Sequence, residues 1–314
     1  MANEEIFKRY KNNPIIAIDG LKNGHSILNS AVVPFKKAYA GVFRVDNQHW
    51  YSELRAGNST DAIHWKIADD PIQFECRDPE IKNLNRPENS PYDPRVVEIE
   101  GTYYLTFCHY PTNGSGPAIG LASTRDFKRF TMMQDILFPF NRNAVFFPRK
   151  VGGKYALLHR PSDTGHTPFG EIFYATSPDM TYWGNQRFVF GTAGSWQATK
   201  VGPGPAPLET PEGWLLIYHG VKTTCSGFIY CAGGAILDLE KPWKVRYRSR
   251  KYLLAPTELY ERVGDVPNVV FPAAMLHDKA QGKISVYYGC ADTCVGLATA
   301  NLAELMAFIK ANSF

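Results

Sequence analysis

Five segments of the chain repeat one arrangement of hydrophobic and polar positions. In each, a short run rich in aromatic and aliphatic residues ends on a polar side chain, as in Trp214-Leu-Leu-Ile-Tyr-His219. Short hydrophobic runs bounded by turn residues are typical of β-strands. The segments are residues 39–44, 103–109, 155–160, 214–219 and 285–292, and their starts lie 64, 52, 59 and 71 residues apart.

A second pattern follows the first four segments, in which Ser, Thr or Asp leads to an aromatic residue. Examples are Ser59-Thr-Asp61-Ala-Ile-His-Trp65 and Ser177-Pro-Asp179-Met-Thr-Tyr-Trp183. Ser and Asp in such turns accept hydrogen bonds from nearby backbone N–H groups, and we expect the aromatic side chain to pack between neighbouring units. Repeats of roughly 40–50 residues with several strands each are typical of propeller blades, and longer repeats indicate inserted loops. We therefore predict an all-β, five-bladed β-propeller, formed by a single domain over residues 1–314, with the five segments as its innermost strands.

Only the C-terminal tail has a helical pattern. Between Leu302 and Asn312, apolar residues fall on one face of a helix at positions 302, 305, 306 and 309. The tail predicts a short C-terminal helix that covers an outer part of the propeller.

Composition and charge narrow the range of functions. Aromatic residues make up 13% of the chain and charged residues only 20%, with 26 Gly and 22 Pro, which suits many short strands joined by turns. The net charge is +4 and no run of Lys and Arg stands out, so we expect neither a nucleic-acid nor a membrane partner. The six cysteines form no C-x-x-C pair, which indicates neither a zinc site nor a disulfide framework. Residues 1–9 are charged and no later window reaches the length of a membrane span, so we expect a cytoplasmic protein.

The polar residues that end the five segments are the first candidates for a functional site. Blades arranged around an axis direct equivalent positions toward that axis, so these residues are expected to converge although they lie far apart in sequence. They are Arg44, His109, Arg160, His219 and Asp292.

Asp93 is the first candidate for catalysis. It lies in Tyr92-Asp93-Pro94-Arg95, at the end of an irregular segment over residues 76–94, and long loops in compact domains are often functional. A carboxyl group held on a rigid loop is suited to general acid catalysis. The alternative is a turn aspartate that only accepts bonds from the next backbone amides.

Basic residues form a second candidate group. Arg142, Arg160, Lys200 and His219 all lie at predicted strand or loop ends, without an equal set of acids nearby in sequence. Arg offers a planar fork and Lys a point charge, so together they suit a bound oxyanion such as phosphate. The alternative is that each is exposed or paired in a salt bridge of its own.

The chain resembles glycoside hydrolase family 130 along essentially its whole length. The motifs that carry the resemblance are Asn29-Ser-Ala, Tyr92-Asp-Pro-Arg95, the run from Phe147 to Pro161, Gly165-His-Thr-Pro-Phe-Gly170, the run from Gly213 to Val221, and Tyr287-Tyr-Gly-Cys-Ala-Asp292. The family consists largely of β-mannoside phosphorylases on five-bladed propellers. Within it the chain is most similar to the branch that acts on β-1,4-mannosides, including mannosyl-N-acetylglucosamine and mannooligosaccharides.

The resemblance implies a role for each matched residue. Asp93 would be the single catalytic acid and would deliver its proton through the mannose 3-hydroxyl. Phe228 stands where some N-acetylglucosamine-using members have Tyr. The remaining roles are phosphate binding by Arg142, Asn143, Arg160, Lys200 and His219, donor-sugar binding by Asn29, Ser30, Arg44 and Asp292, and acceptor binding by His166, Phe228, Tyr230 and Phe271.

These observations predict inverting phosphorolysis of a terminal β-1,4-mannoside to α-mannose 1-phosphate. An inverting hydrolase needs a second carboxylate to deprotonate water, whereas phosphate is already an anion and needs only cations that orient it. We expect no cofactor and no metal, and a β-mannoside and phosphate as partners, with a monomer and a homo-oligomer as the two alternatives for the assembly. The alternatives are a β-mannoside hydrolase of the same fold, a β-1,2-mannoside phosphorylase, and a non-catalytic sugar-binding propeller.

Overall fold

A computed structural model describes residues 6–19, 21–76, 85–111, 116–162 and 170–314. In these ranges the strands form five sheets arranged as the blades of a propeller, which confirms the predicted fold class. Within these ranges, no helix is long and apolar enough to cross a membrane.

The first two blades follow a short N-terminal strand. That strand is β1 (Lys8–Arg9). Blade 1 consists of β2 (Gly24–Phe35), β3 (Ala38–Asn47), β4 (Ser52–Ser59) and β5 (Lys66–Ile67). Blade 2 consists of β6 (Phe74–Cys76), β7 (Tyr92–Ile99), β8 (Thr102–His109), β9 (Ala118–Thr124) and β10 (Phe130–Leu137), with β6 on its outer edge, parallel to β10.

The other three blades repeat the antiparallel order. Blade 3 consists of β11 (Asn141–Phe146), β12 (Tyr155–Pro161), β13 (Ile172–Ser177) and β14 (Gly184–Phe190). Blade 4 consists of β15 (Lys200–Pro203), β16 (Leu208–Thr210), β17 (Gly213–Thr224), β18 (Gly227–Leu237) and β19 (Val245–Arg248). Blade 5 follows helix α1 (Leu259–Arg262) and consists of β20 (Val270–Asp278), β21 (Lys283–Cys290) and β22 (Cys294–Asn301), before helix α2 (Leu302–Ala311).

The N-terminal strand closes the ring. β1 pairs antiparallel with β22 and becomes the outer strand of blade 5. Arg9 fixes this junction, because its Nε donates to Oε1 of buried Glu261 at 2.8 Å. Blade 5 is thus completed by the two ends of the sequence.

The innermost strands are not the five segments predicted from the sequence. β2, β7, β11, β15 and β20 begin the five blades, and contacts between β2 and β7, β7 and β11, β11 and β15, and β20 and β2 place them around the axis. The predicted segments lie mainly in β3, β8, β12, β17 and β21, second from the axis. Those strands have neighbours on both sides and buried side chains on both faces, so their hydrophobic runs dominate the sequence pattern.

The repeated turns have the structure that their sequence predicts. Asp61 Oδ1 accepts from the backbone N–H groups of Ile63 and His64 at 2.9 and 2.8 Å, and the Asp179 turn repeats the arrangement. The following aromatic residues pack between blades: the ring centroids of Trp65 and Tyr287 are 6.3 Å apart. The turn aspartates are therefore structural.

The C-terminal helix is confirmed. α2 is capped by Asn301, whose side chain accepts from Glu304 N, and it buries Leu305, Met306 and Ile309. It contacts β18, β19 and β22 and so covers the outer parts of blades 4 and 5. α1, a single turn, was not predicted, because four residues are too few to show a helical period.

Candidate active site

Three innermost strands carry the same irregularity. In β2, β7 and β11, two residues lie opposite a single residue of the next strand, which is a β-bulge. The first residue of each bulge has a positive φ: 44° at Asn29, 49° at Asp93 and 55° at Asn143. Asn and Asp tolerate this left-handed conformation better than other non-glycine residues.

The bulges direct three polar side chains to one point. Asn29 Nδ2 donates to Asp93 Oδ1 at 2.8 Å, and Asn143 Nδ2 donates to Asp93 Oδ2 at 3.4 Å. Gly289 leaves room for Asn29, since a Cβ there would overlap the Asn29 Oδ1. Pro94, the second residue of its bulge, lacks an N–H group and is tolerated because a bulge on an edge strand needs no ladder bond there.

Arg44 completes the surroundings of Asp93. Its Nη1 donates to Asp93 Oδ1 at 2.9 Å, while its Nε and Nη2 donate to the two carboxylate oxygens of Asp46, each at 2.9 Å. Burial alone would raise the pKa of Asp93, but the guanidinium groups of Arg44 and Arg95 and the bond from Asn29 outweigh it, so the pKa lies below its ordinary value. Asp93 is therefore ionised in the free protein.

Asp292 is the second carboxyl group of the site and behaves differently. It is half-buried at the tip of the β21–β22 hairpin, with a φ of 50°. Burial raises its pKa to about 7, Arg44 opposes the rise, and the charges of Asp93 and Asp46 add to it. Asp292 thus holds a proton up to about neutral pH while Asp93 does not.

The basic cluster, Arg142, Arg160, Lys200 and His219, contains one close pair. Arg160 Nη1 lies 2.7 Å from His219 Nε2, and both side chains are buried. Gly202 makes room for this pair, since a Cβ there would lie 2.6 Å from the His219 ring and 2.9 Å from Arg160 Cδ. The Nε of Arg160 is buried without a partner among the described residues, which leaves a donor for a ligand.

His219 is neutral. Burial and then the charges of Arg160, Arg95 and Lys200 hold its pKa well below the ordinary value. Because a guanidinium can only donate, Nε2 of His219 must be the acceptor, and the proton of the neutral ring is assigned to Nδ1. The positive charge of the cluster therefore comes from its two arginines and its lysine.

The other members of the basic cluster connect it to the rest of the site. Arg142 pairs with Arg160 in the β11–β12 register, and its guanidinium donates to Tyr92 Oη at 3.3 Å and Ser162 Oγ at 3.1 Å. Lys200 Nζ lies 4.7 Å from the ring centroid of Phe228. Such a distance allows a cation–π contact.

An aromatic wall of Phe228, Tyr230 and Phe271 borders the cluster. The ring centroids of Phe228 and Tyr230, and those of Tyr230 and Phe271, are 6.3 Å apart. Phe271 is buried and lies 4.5 Å from the His219 ring, centroid to centroid. Burial raises the pKa of Tyr230 to about 12, so its hydroxyl remains a donor at neutral pH.

Most of the site residues named from the sequence come together. Asn29, Arg44 and Asn143 bond to Asp93, the charge of Asp292 acts on Arg44, and the charges of Arg160 and Lys200 act on His219. Ser30 is fully buried with its hydroxyl 3.5 Å from the Leu28 carbonyl. His166 lies outside the described residues.

His109 does not join the site. Its Nε2 lies 2.8 Å from Asp135 Oδ1 on β10, within blade 2. Arg44, Arg160 and Cys108 each pair with the residue before a bulge, so Cys108 is the equivalent position in blade 2. Because side chains alternate along a strand, the one-residue offset places His109 on the opposite face of the sheet from Cys108.

Sequence reasoning missed Asp46, Arg95 and Cys108. Asp46 lies two residues after Arg44, so both side chains share a face of β3, which is a signal that the sequence contains. Arg95 ends the Tyr92-Asp93-Pro94-Arg95 motif and is 2% exposed. Cys108 Sγ accepts from the backbone N–H of Asn143 at 3.4 Å, a long-range contact with no local signal.

Together, the fold and the site define a five-bladed propeller whose inner strands bring together a buried ionised carboxyl group, Asp93, a neutral histidine and the arginines and lysine of the basic cluster. The chain belongs to glycoside hydrolase family 130: the family model, described as beta-1,4-mannooligosaccharide phosphorylase, matches residues 2–311. The resemblance inferred from the sequence motifs is thereby confirmed.

Two relatives that match most of the chain are named as mannoside phosphorylases. A β-1,4-mannooligosaccharide phosphorylase of Ruminococcus albus is 49% identical over 99% of this chain and 92% of its own length. A β-1,2-mannobiose phosphorylase of Listeria innocua is 31% identical over 81% of this chain and 68% of its own. A solved structure of the Listeria innocua β-1,2-mannobiose phosphorylase, in complex with β-1,2-mannobiose, superposes with a TM-score of 0.83, 24% identity, and coverage of 97% of this chain and 99% of that one.

Proposed function

We propose that the protein cleaves the terminal mannosyl residue of β-1,4-mannooligosaccharides with inorganic phosphate, giving α-mannose 1-phosphate and a shortened acceptor. The observation that carries the proposal is the pairing of one buried carboxyl group, Asp93, with the basic cluster around Arg160 and His219. The 49% identity to the Ruminococcus albus phosphorylase supports the β-1,4 linkage.

The basic cluster binds the nucleophile. Arg142, Arg160 and Lys200 supply the charge, and Asn143 and the neutral His219 supply hydrogen bonds, so that a phosphate oxygen faces the anomeric carbon of the mannosyl residue. Fixed cations of this kind align an anion for attack and offset its charge without reorganising. No general base is required, because the attacking phosphate oxygen is already deprotonated, whereas an attacking water molecule would have to lose a proton.

Asp93 provides the proton. As phosphate bonds to the anomeric carbon from one face, the glycosidic C–O bond breaks on the other, and the departing oxygen takes a proton that Asp93 supplies through the mannose 3-hydroxyl. The products are a mannosyl phosphate of inverted configuration and an acceptor with a free 4-hydroxyl. Asp292 is not required as a base, since the charged groups that act most on it are Arg44, Asp93 and Asp46, on the acid side of the site.

The sugar pockets flank this centre. Asn29, Ser30, Arg44 and Asp292 form the donor side, around the bonds to Asp93. Phe228, Tyr230 and Phe271, with His166, form the acceptor side, and apolar rings next to hydrogen-bonding groups suit the faces of a sugar. We propose that the enzyme needs no cofactor or metal, with phosphate as a co-substrate, and that it acts in the cytoplasm.

Product analysis with a phosphate titration tests the function. The purified protein is incubated with β-1,4-mannobiose and β-1,4-mannotriose at saturating concentration while phosphate is varied, and the released sugar is identified. We expect α-mannose 1-phosphate, formed at a rate that rises with phosphate and saturates. Free mannose formed at a rate independent of phosphate would identify a hydrolase. If neither sugar gives a product, the protein is a sugar-binding propeller without catalytic activity. A parallel incubation with β-1,2-mannobiose tests the linkage.

A further inference from the structure

Arg95 has no part in the function proposed above, although it ends the motif that contains the acid. The side chain is 2% exposed and starts from β7 in blade 2, two residues after Asp93. A buried guanidinium is costly unless its N–H groups and its charge are matched. Its contacts therefore indicate what the charge is retained for.

The side chain of Arg95 crosses from the acid strand to the strand that carries Lys200. Its Nη1 donates to the carbonyl of Pro94 at 2.8 Å, and its Nε donates to the carbonyl of Gly204 at 2.8 Å. Gly204 directly follows β15 and is itself fixed, because its N–H bonds to Ile217 O at 3.1 Å and a Cβ there would lie 2.7 Å from that oxygen. The guanidinium thus joins the bulge of Asp93 to the end of a strand that begins at Lys200.

A third contact leads to His219. The guanidinium carbon lies 5.4 Å from the ring centroid of Phe271, and the Phe271 ring lies 4.5 Å from the His219 ring, centroid to centroid. His219 in turn bonds to Arg160. Arg95 therefore contacts groups from blades 4 and 5 as well as its own blade.

Packing alone does not explain the residue. A cavity of about 410 Å³ lies against Arg95, between Val32, Val97 and Ala274 of the innermost strands. Burial of a guanidinium also requires partners for its N–H groups and its charge, which contact area alone does not supply. The directed bonds, rather than shape, hold the guanidinium in place.

We propose that Arg95 is a positioning residue that fixes the strand of the catalytic acid relative to the phosphate-binding strand and the Phe271–His219 pair. This inference rests on the proposed function. The titratable and charged groups that face Arg95 are Asp93 and Cys108, whose anionic forms favour its charge, and Arg160, which opposes it. The charge of Arg95 also acts on Asp93 and on His219, where it lowers the pKa of each group.

Two substitutions separate its geometry from its charge. Arg95→Lys keeps the charge but cannot bond to Pro94 and Gly204 with a planar fork, whereas Arg95→Gln removes the charge. Arg55→Lys is the matched control, because Arg55 is also buried, 1% exposed, and bonded to a backbone carbonyl, that of Lys22, outside the site. The measurements are phosphate affinity by calorimetry with inorganic phosphate, kcat and KM for phosphate, and the pH profile at saturating phosphate.

We expect both Arg95 variants to bind phosphate about tenfold to a hundredfold more weakly than wild type, since the loss of one charge-assisted hydrogen bond between a displaced cluster and phosphate has an effect of that size. The KM for phosphate should rise in parallel, and Arg55→Lys should change neither value. The alkaline limb of the profile should move to higher pH in Arg95→Gln, because loss of a nearby positive charge raises the pKa of Asp93, and should stay in place in Arg95→Lys.

The opposite results overturn the proposal. Phosphate affinity in Arg95→Lys within twofold of the Arg55→Lys control would exclude positioning, whether or not Arg95→Gln folds. If the wild-type protein binds phosphate but releases free mannose, the proposed function fails while the affinity comparison still tests Arg95. If the wild type binds no phosphate, both fail.

Discussion

Replacement of Asp93 by Asn is the most direct test of the acid. The amide keeps the shape of the side chain but has no ionisable proton to transfer to the leaving group. The oxygen of the new amide can still accept the hydrogen bonds from Asn29 and Arg44, at 2.8 and 2.9 Å. Only the longer hydrogen bond from Asn143, at 3.4 Å, is lost, because the amide NH₂ group then faces the Asn143 donor. Arg44 also keeps both bonds to Asp46. The variant should therefore fold, with a loss of stability of about 1–2 kcal/mol from one weakened charge pair.

The size of the kinetic effect depends on the leaving group. General acid catalysis is typically worth about 10²–10⁴-fold, so phosphorolysis of β-1,4-mannobiose should fall by at least about a hundredfold. A dinitrophenyl β-mannoside has a leaving group that departs without a proton. The variant should therefore process that substrate at a rate much closer to wild type.

The assay compares kcat/KM for the two substrates at saturating phosphate. Asp292→Asn is the matched control, because it changes a second carboxyl group of the same site that has no part in proton transfer to the leaving group, and its losses on the two substrates should be equal. An equal loss on both substrates for Asp93→Asn as well, or near-normal turnover of mannobiose, would remove Asp93 from the role of acid.

Three further predictions concern the neighbouring groups. Lys200→Ala and Arg160→Ala each remove charge-assisted bonds worth about 1.5–3 kcal/mol, so kcat/KM for phosphate should fall about tenfold or more while mannoside binding, measured by calorimetry, changes much less. Phe228→Tyr should change the relative rates on mannobiose and mannosyl-N-acetylglucosamine more than it changes donor turnover, since the added hydroxyl meets the acceptor; unchanged relative rates would reject this placement. The raised pKa of Asp292 means that the folded protein binds its proton more tightly than the unfolded chain, so wild-type stability should fall as pH rises from 3.8 to about 7. Asp292→Asn has no such proton to lose, so its stability should not show this fall. The difference in unfolding free energy between the variant and wild type, measured with urea, should therefore shift in favour of the variant by at most about 1.4 kcal/mol per pH unit across that window and stay constant above it.

The sequence predicted the fold through the strands that pack on both sides. The strands that mark the five-fold repeat are buried between neighbours and have a mainly apolar central run; they are β3, β8, β12, β17 and β21. The innermost strands gave a weaker signal, because they face the axis, carry polar residues such as Asn29 and Asn143, and are interrupted by bulges. In blade 2 the predicted segment also ended one residue too late: Cys108 pairs with Tyr92, the residue before the bulge, so Cys108 rather than His109 is equivalent to Arg44.

The sequence predicted which residues belong to the site better than it predicted the contacts between them. The radial repeat and the family resemblance together named Asp93, Arg160 and His219. Neither indicated that Arg160 and His219 bond to each other at 2.7 Å, because residues on strands of different blades have no fixed relation in sequence. The bond from Arg95 to Gly204 spans 109 positions for the same reason. Asp46 is the exception among these contacts, because its position two residues after Arg44 on the same strand could have indicated that the two side chains meet.

The protonation states connect the acid to the nucleophile. In the free protein the charges of Arg44 and Arg95 keep Asp93 ionised, so it has no proton for a leaving group at neutral pH. Phosphate bound at the basic cluster adds negative charge beside Asp93, and a nearby like charge raises the pKa of a carboxyl group. On the proposed mechanism, Asp93 therefore becomes an effective acid only when the nucleophile is in place. A water molecule that enters the site without phosphate meets an ionised Asp93 that cannot assist departure of the leaving group, and the cations leave it no dedicated base. The same electrostatics that bind phosphate thus suppress hydrolysis of the mannoside.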